Sequence, residues 1–91
     1  MEITNVRVYL RGGEDKLRAF ASITIDGAFL VDGLKVFDGQ KGLFVSMPSR
    51  KVPGGGYKDI AFPVTREARE ALQEKVIGAY RDAVETSLVE T

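Results

Sequence analysis

The residues Asn5-Val-Arg-Val-Tyr-Leu-Arg11 alternate strictly, with Val6, Val8 and Leu10 on one side and Arg7, Tyr9 and Arg11 on the other. Successive side chains of a strand point to opposite faces, so this spacing predicts a half-buried strand. Gly12-Gly-Glu-Asp15 interrupts it as a loop, after which Leu17, Ala19, Ala21, Ile23 and Ile25 resume the period of two as inward positions. Asp26 and Gly27 both tolerate positive φ and predict a tight hairpin into a third strand, Ala28 to Phe37. The alternation of that strand breaks: Leu30, Leu34 and Val36 share a parity with Asp32, whereas Phe29, Val31 and Phe37 share the other with Lys35. Gly33, in the middle of the run, marks a bulge that restores the parity. Asp38-Gly39 opens a further turn, Leu43-Phe-Val-Ser-Met47 makes a fourth strand, and Pro48 ends it. Tyr57 to Phe62, bounded by Pro63, reads equally well as an extended piece along the sheet or as loop.

From Arg66 the period changes to that of a helix. Ala68, Leu72, Val76, Ala79 and Ala83 fall on one arc of a helical wheel that runs to about Val84. Thr65 is placed as N-cap, and Glu67 sits in the first turn, where the helix dipole favours an anion. Ile77, Tyr80 and Val84 widen the arc and are candidates for subunit contact or simply for a generous core. Ser87 to Thr91 is expected to fray. The pattern gives an α+β domain over 1–85, an antiparallel four- to five-stranded sheet followed by one C-terminal amphipathic helix, with 86–91 a short acidic tail. An open sheet leaves two edges of unpaired backbone. Pairing edge to edge across a two-fold axis would remove that liability, so a homodimer is expected.

Composition narrows the chemistry. At 91 residues the chain supports a single core whose burial is marginal, a second reason to associate. No apolar run approaches a membrane span, and Met1-Glu-Ile-Thr4 begins a strand rather than a secretory signal, so a cytoplasmic protein with no membrane partner is expected. Cysteine and histidine are both absent, which removes disulfides, thiolate chemistry, the usual neutral-pH base and the commonest metal ligand. The remaining carboxylates, Asp26, Asp32, Asp38 and Asp59 among them, sit mostly where turns favour Asp. A non-enzyme is expected, with no catalytic residue, metal, cofactor or small-molecule substrate. Gly54-Gly55-Gly56 does not change this, because Lys58 follows without the Ser or Thr of a phosphate loop and no helix begins there.

The charges cancel, 13 of each sign, but unevenly along the chain. Gly39 to Lys58 holds Lys41, Arg50, Lys51 and Lys58 with no acid, whereas residues 82–91 hold Asp82, Glu85 and Glu90 with no cation. The two stretches are able to attract each other within or between subunits. Adjacent Arg50 and Lys51, beside glycines and Tyr57, also suit a phosphodiester ligand. A solvated hairpin loop would carry the same residues.

Asp38-Gly39, Gly42-Leu-Phe-Val-Ser-Met-Pro-Ser49, Arg50-Lys51, Pro53 and Tyr57-Lys-Asp-Ile-Ala-Phe-Pro63 together resemble the signature of the stage V sporulation protein G family. Arg18-Ala-Phe-Ala-Ser-Ile-Thr-Ile-Asp26 and Ile3-Thr-Asn-Val-Arg7 extend the resemblance over nearly the whole chain. It implies a small dimeric bacterial regulator, first associated with septation and sporulation, whose members bind DNA and in several cases RNA. On that resemblance Arg50 and Lys51 contact nucleic acid, with Lys58 beside them; Arg66 and Arg69 at the helix start would supply flanking contacts. Two departures stand out: many relatives carry His where Phe62 stands, and a polar or acidic residue within the loop made here of Gly54 to Gly56. The rival reading is a dimeric adaptor that docks a protein through a sheet edge or helix flank by strand addition.

Overall fold

The computed structural model describes residues 1–89, and strand alternation holds in its sheet apart from register shifts at Ile3/Asn5, Leu17/Ala19 and Ala21/Ile23. Strands β1 (Ile3–Leu10), β2 (Leu17–Ile25), β3 (Phe29–Gly39) and β4 (Gly42–Ser46) form one antiparallel sheet in that order. Strands β5 (Ser49–Lys51) and β6 (Tyr57–Asp59) form a separate two-stranded ribbon, and helix α1 (Arg66–Val89) completes the α+β chain.

The turn between β2 and β3 has φ of 52° at Asp26 and 66° at Gly27, the left-handed pair that the Asp-Gly dipeptide predicts. In β3 the bulge falls where Gly33 stands. Ala21 pairs with Leu34 but Ile23 pairs with Val31, so two residues of β3 face Ser22 alone. Gly33 takes φ of 83°, and a Cβ there would meet the Pro48 Cβ at 3.3 Å. The extra residue places Val31, Leu34 and Val36 on the helix side and Leu30 on the opposite face.

Ile3, Ala19, Ala21, Ile23, Leu34, Val36 and Val45 form the core with Leu72 and Val76 of α1. Each large side chain fully buried here contributes about 1.5–3 kcal/mol. Thr65 caps the helix as expected, its Oγ1 accepting from Ala68 N–H at 3.1 Å and its carbonyl from Arg69 N–H at 3.1 Å. Ile77 and Tyr80 pack against the core, so for these two the generous-core reading holds.

Three boundaries differ from the sequence expectation. Asp38 and Gly39 lie inside β3, and the turn falls on Gln40-Lys41 between paired Gly39 and Gly42. Phe37 and Phe44 stack with centroids 5.5 Å apart, and that pair holds the two strands together past the expected turn. Tyr57–Asp59 joins not the main sheet but Ser49–Lys51, a strand too short and too polar to register in the alternation. Finally, α1 continues beyond Val84 through Ser87 to Val89; Glu90 and Thr91 of the expected tail lie outside the described residues.

The sheet edges are unequal. At β4 the Gln73 side chain takes the place of a neighbouring strand: Val45 N–H donates to Oε1 at 3.0 Å, and Nε2 donates to the Val45 carbonyl at 3.0 Å. At β1 the Lys75 ammonium donates to the Ile3 carbonyl at 2.9 Å. Further along, Arg11 N–H donates to the Arg18 carbonyl, which by alternation turns the backbone groups of Val6, Val8 and Leu10 outward. The edge-to-edge pairing expected from sequence therefore finds β4 occupied at its centre and β1 open.

Candidate nucleic-acid interface

The ribbon begins where Pro48 removes a backbone donor from the end of β4. It turns through Val52 to Gly56, closed by Val52 N–H to the Gly56 carbonyl and Gly55 N–H to the Val52 carbonyl, both at 3.2 Å. The register is Ser49 with Asp59, Arg50 with Lys58 and Lys51 with Tyr57. Ile60 N–H donates to the Pro48 carbonyl at 2.9 Å and closes the root. Beyond that root the two strands pack mainly on each other, so the ribbon stands out from the body.

This register rearranges the expected basic pair. Arg50 and Lys51 are consecutive on a strand, not neighbours in a loop, and consecutive residues project to opposite faces. The pair that shares a face is Arg50 with Lys58, which lie directly opposite each other. Opposed side chains start from Cβ atoms about 4.5–5.5 Å apart, and like charges so placed repel. Lys51 lies on the other face beside Tyr57. All three cations are exposed, and the ion pairs among the described residues are Arg11–Asp15, Arg18–Asp38 and Arg66–Glu70, none of which engages them.

The other charged positions separate. Lys41 lies in the β3–β4 turn, at the opposite end of β4 from the ribbon, about 16 Å away for a five-residue strand. Arg69 lines a groove with Asp59, Phe62 and Pro63 at the ribbon root, so it joins the basic surface. Arg66 instead places Nε 3.3 Å from Glu70 Oε1. The acidic Asp82 and Glu85 take no part in an ion pair with the ribbon among the described residues, and Glu90 lies outside them. The ribbon's cations thus take part in no ion pair among the described residues, and Asp59 at the root is the ribbon's one acid.

Sequence reasoning named Lys58 for its charge but missed its opposition to Arg50. The signal was present in period-two counting across Pro48 and the three glycines, once both arms are read as strands. Gln73 gave no signal, since a polar residue on a helix beside an apolar arc is ordinary.

One further segment belongs to this region. Between β6 and α1 the chain bends at Ile60 and Ala61; Ala61 and Pro63 are half-buried, while Ile60, Phe62 and Val64 are 61%, 56% and 86% exposed. Apolar residues at every second position thus face outward, the reverse of the usual solvent pattern. Phe62 is the middle one of the three.

The SpoVG family model matches residues 1–82. A relative from Clostridium botulinum (strain Alaska E43 / Type E3), named "Putative septation protein SpoVG", is 46% identical over 90 residues, covering 99% of both chains. One of the same name from Heliobacterium modesticaldum is 48% identical over 88 residues, covering 97% of this chain and 99% of its own. Another from Archaeoglobus fulgidus is 47% identical over 81 residues, covering 89% of this chain and 95% of its own. Full-length similarity at this level, on a chain whose sheet, ribbon and helix carry the quoted motifs, places it: the chain belongs to the SpoVG family.

Proposed function

We propose that this chain is a nucleic-acid-binding regulator of septation or sporulation that grips phosphates through the β5–β6 ribbon, acting as a homodimer and without catalysing a reaction. The observation that carries the reading is the opposed Arg50–Lys58 pair. Placing like charges face to face costs stability, and no carboxylate among the described ion pairs offsets it. A polyanion does offset it: a phosphate between a guanidinium and an ammonium receives charge-assisted hydrogen bonds from both. Lys51 and Arg69 extend the contact to the ribbon's second face and its root.

A two-fold dimer doubles the site. Neutralising about 4–8 phosphates per dimer gives a salt slope of about −0.9 per contact on duplex DNA, and about −0.7 on single strands, so DNA and RNA are both within reach of the same residues. Phosphate contacts position the protein and carry no sequence information, so sequence preference from this site is weak. The experiment is anisotropy of a labelled duplex with the wild type and with Arg50→Ala/Lys58→Ala at two salt concentrations. The double variant is expected to bind at least tenfold more weakly, with a shallower salt slope; equal affinity and equal slope would remove the ribbon from the account.

The proposed dimer contact is the Ile60-Phe62-Val64 segment rather than a sheet edge, because that short segment exposes three apolar side chains close together in the chain. Phe62→Lys is expected to shift the sedimentation of the dimer to that of the monomer while the circular dichroism spectrum stays unchanged. An unaltered sedimentation coefficient would return the contact to the open β1 edge, which is also where an adaptor would add a strand.

A further inference from the structure

The face of the sheet turned away from α1 carries a second arrangement that the ribbon does not use. Val36 and Val45 point into the core, so their neighbours Lys35, Phe37, Phe44 and Ser46 lie on the outer face. By the same register Tyr9, Phe20 and Lys35 form one row across β1, β2 and β3. Phe37 and Phe44 stack in the row to one side of it, and Arg7 stands beside Ser22 in the row to the other. Tyr9 is 56% exposed, Phe20 40% and Phe44 47%. Three aromatic side chains therefore present surface to solvent on one rigid sheet, with two cations among them.

We infer that this open face binds single-stranded nucleic acid, with bases stacking on Tyr9, Phe20 and Phe44 and with Arg7 and Lys35 holding the intervening phosphates. Rows on a strand face lie about 7 Å apart and neighbouring strands about 5 Å apart, spacings that an extended, unstacked strand of nucleotides accommodates. A duplex does not fit this chemistry, because its bases are already stacked on each other and present no free π-face. The site is thus separate from the phosphate grip of the ribbon and does not depend on it.

Charge favours this occupant over a second copy of the chain. Of the nearby carboxylates, Asp15 pairs with Arg11 at 2.6 Å and Asp38 lies 3.8 Å from Arg18, while Asp32 accepts from Gly33 N–H at 2.8 Å. Arg7 and Lys35 take part in none of the ion pairs among the described residues. Two copies of the face pressed together would desolvate four cations, with Asp15 and Asp38 already paired to other arginines. A polyanion meets the same cations with a phosphate each.

The test uses labelled oligo(dT) and oligo(rU) of about 12 nucleotides, a length one such platform spans, together with a duplex of equal length. With three tyrosines and no tryptophan in the chain, quenching of tyrosine emission reports stacking directly. Tyr9→Ala/Phe20→Ala is expected to weaken single-strand binding about 10- to 100-fold, leaving duplex binding and the circular dichroism spectrum unchanged. Tyr9→Leu alone, which keeps the apolar bulk should the double variant fail to fold, is expected to abolish most of the quenching. Arg7→Gln/Lys35→Gln is expected to flatten the single-strand salt slope by about 1.4. Unchanged single-strand affinity in these variants overturns the inference, as does loss of that affinity only when Arg50 and Lys58 are replaced. A lighter sedimenting species in the Tyr9 and Phe20 variants also overturns it, by giving the face to a second copy. Failure of the ribbon variant to affect the duplex leaves this result intact, so the two sites stand or fall separately.

Discussion

Lys58→Glu is expected to weaken duplex binding about 10- to 100-fold at 0.1 M salt while leaving the protein as stable as before or slightly more so. The two effects have opposite signs for one reason. In the folded chain Lys58 faces Arg50 directly across the ribbon. At about 5 Å in a solvent-like dielectric such a repulsion is worth slightly under ~1 kcal/mol, and reversing one charge turns it into an attraction of similar size. Toward a polyanion the same change removes a cation and introduces an anion in each protomer, so a dimer loses two phosphate contacts and gains two repulsions. Thermal melting and duplex anisotropy on the same preparation check both halves. A structural role for the ribbon charges would make the melting temperature fall together with binding. A drop in both would tell against the interface, and so would binding that ignores the substitution.

Leu34→Ala is expected to cost about 2–5 kcal/mol, against a total stability of about 5–10 kcal/mol for a chain of this size. Leu34 is fully buried between its β2 partner Ala21 and the helix residues Leu72 and Val76, so truncation leaves a cavity that a sheet held on both sides closes poorly. The melting temperature should fall by about 10–30 °C. Leu30→Ala, four residues earlier on the same strand, should change stability by less than about 0.5 kcal/mol, because Leu30 is exposed on the outer face opposite Thr24. Unbroken alternation would place both leucines on one side and make their substitutions equally costly. Comparable losses at the two positions would show that β3 carries no extra residue at Gly33.

The contrast between these two leucines also marks how far the sequence could be read. Alternation was legible from Val6 to Leu10 and from Ala19 to Ile25, where one face is apolar, and the Asp26-Gly27 dipeptide favours the left-handed turn; the irregularities at Ile3/Asn5 and Leu17/Ala19 left no such mark. The bulge was legible only because Gly33 coincided with the break in parity. What was not legible depended on contacts distant in the chain. The β3–β4 turn is set by Phe37 stacking on Phe44, the ribbon by pairing across the loop from Val52 to Gly56, and the closed edge of β4 by one amide on a helix nearly thirty residues away. The site shows the same division. Arg50, Lys51 and Lys58 stood out by charge and by resemblance, whereas which two share a face required the register, and the outer aromatic face required knowing that the helix covers only one side. Arg66, placed among the site residues by its position near the helix start, is exposed and lies 3.3 Å from Glu70.

The amide of Gln73 has a consequence for how many copies can assemble. Joining the β1 margin of one molecule to the β4 margin of the next would be a head-to-tail step that repeats without limit and ends in a filament. With the middle of β4 already bonded at Val45, that propagating step has nowhere to seat. The strand-to-strand union left to this sheet is β1 with β1, which a two-fold axis closes and which becomes the dimer contact only if the Phe62 segment is not. A single side chain on the helix thus blocks one open-ended route of strand-to-strand growth.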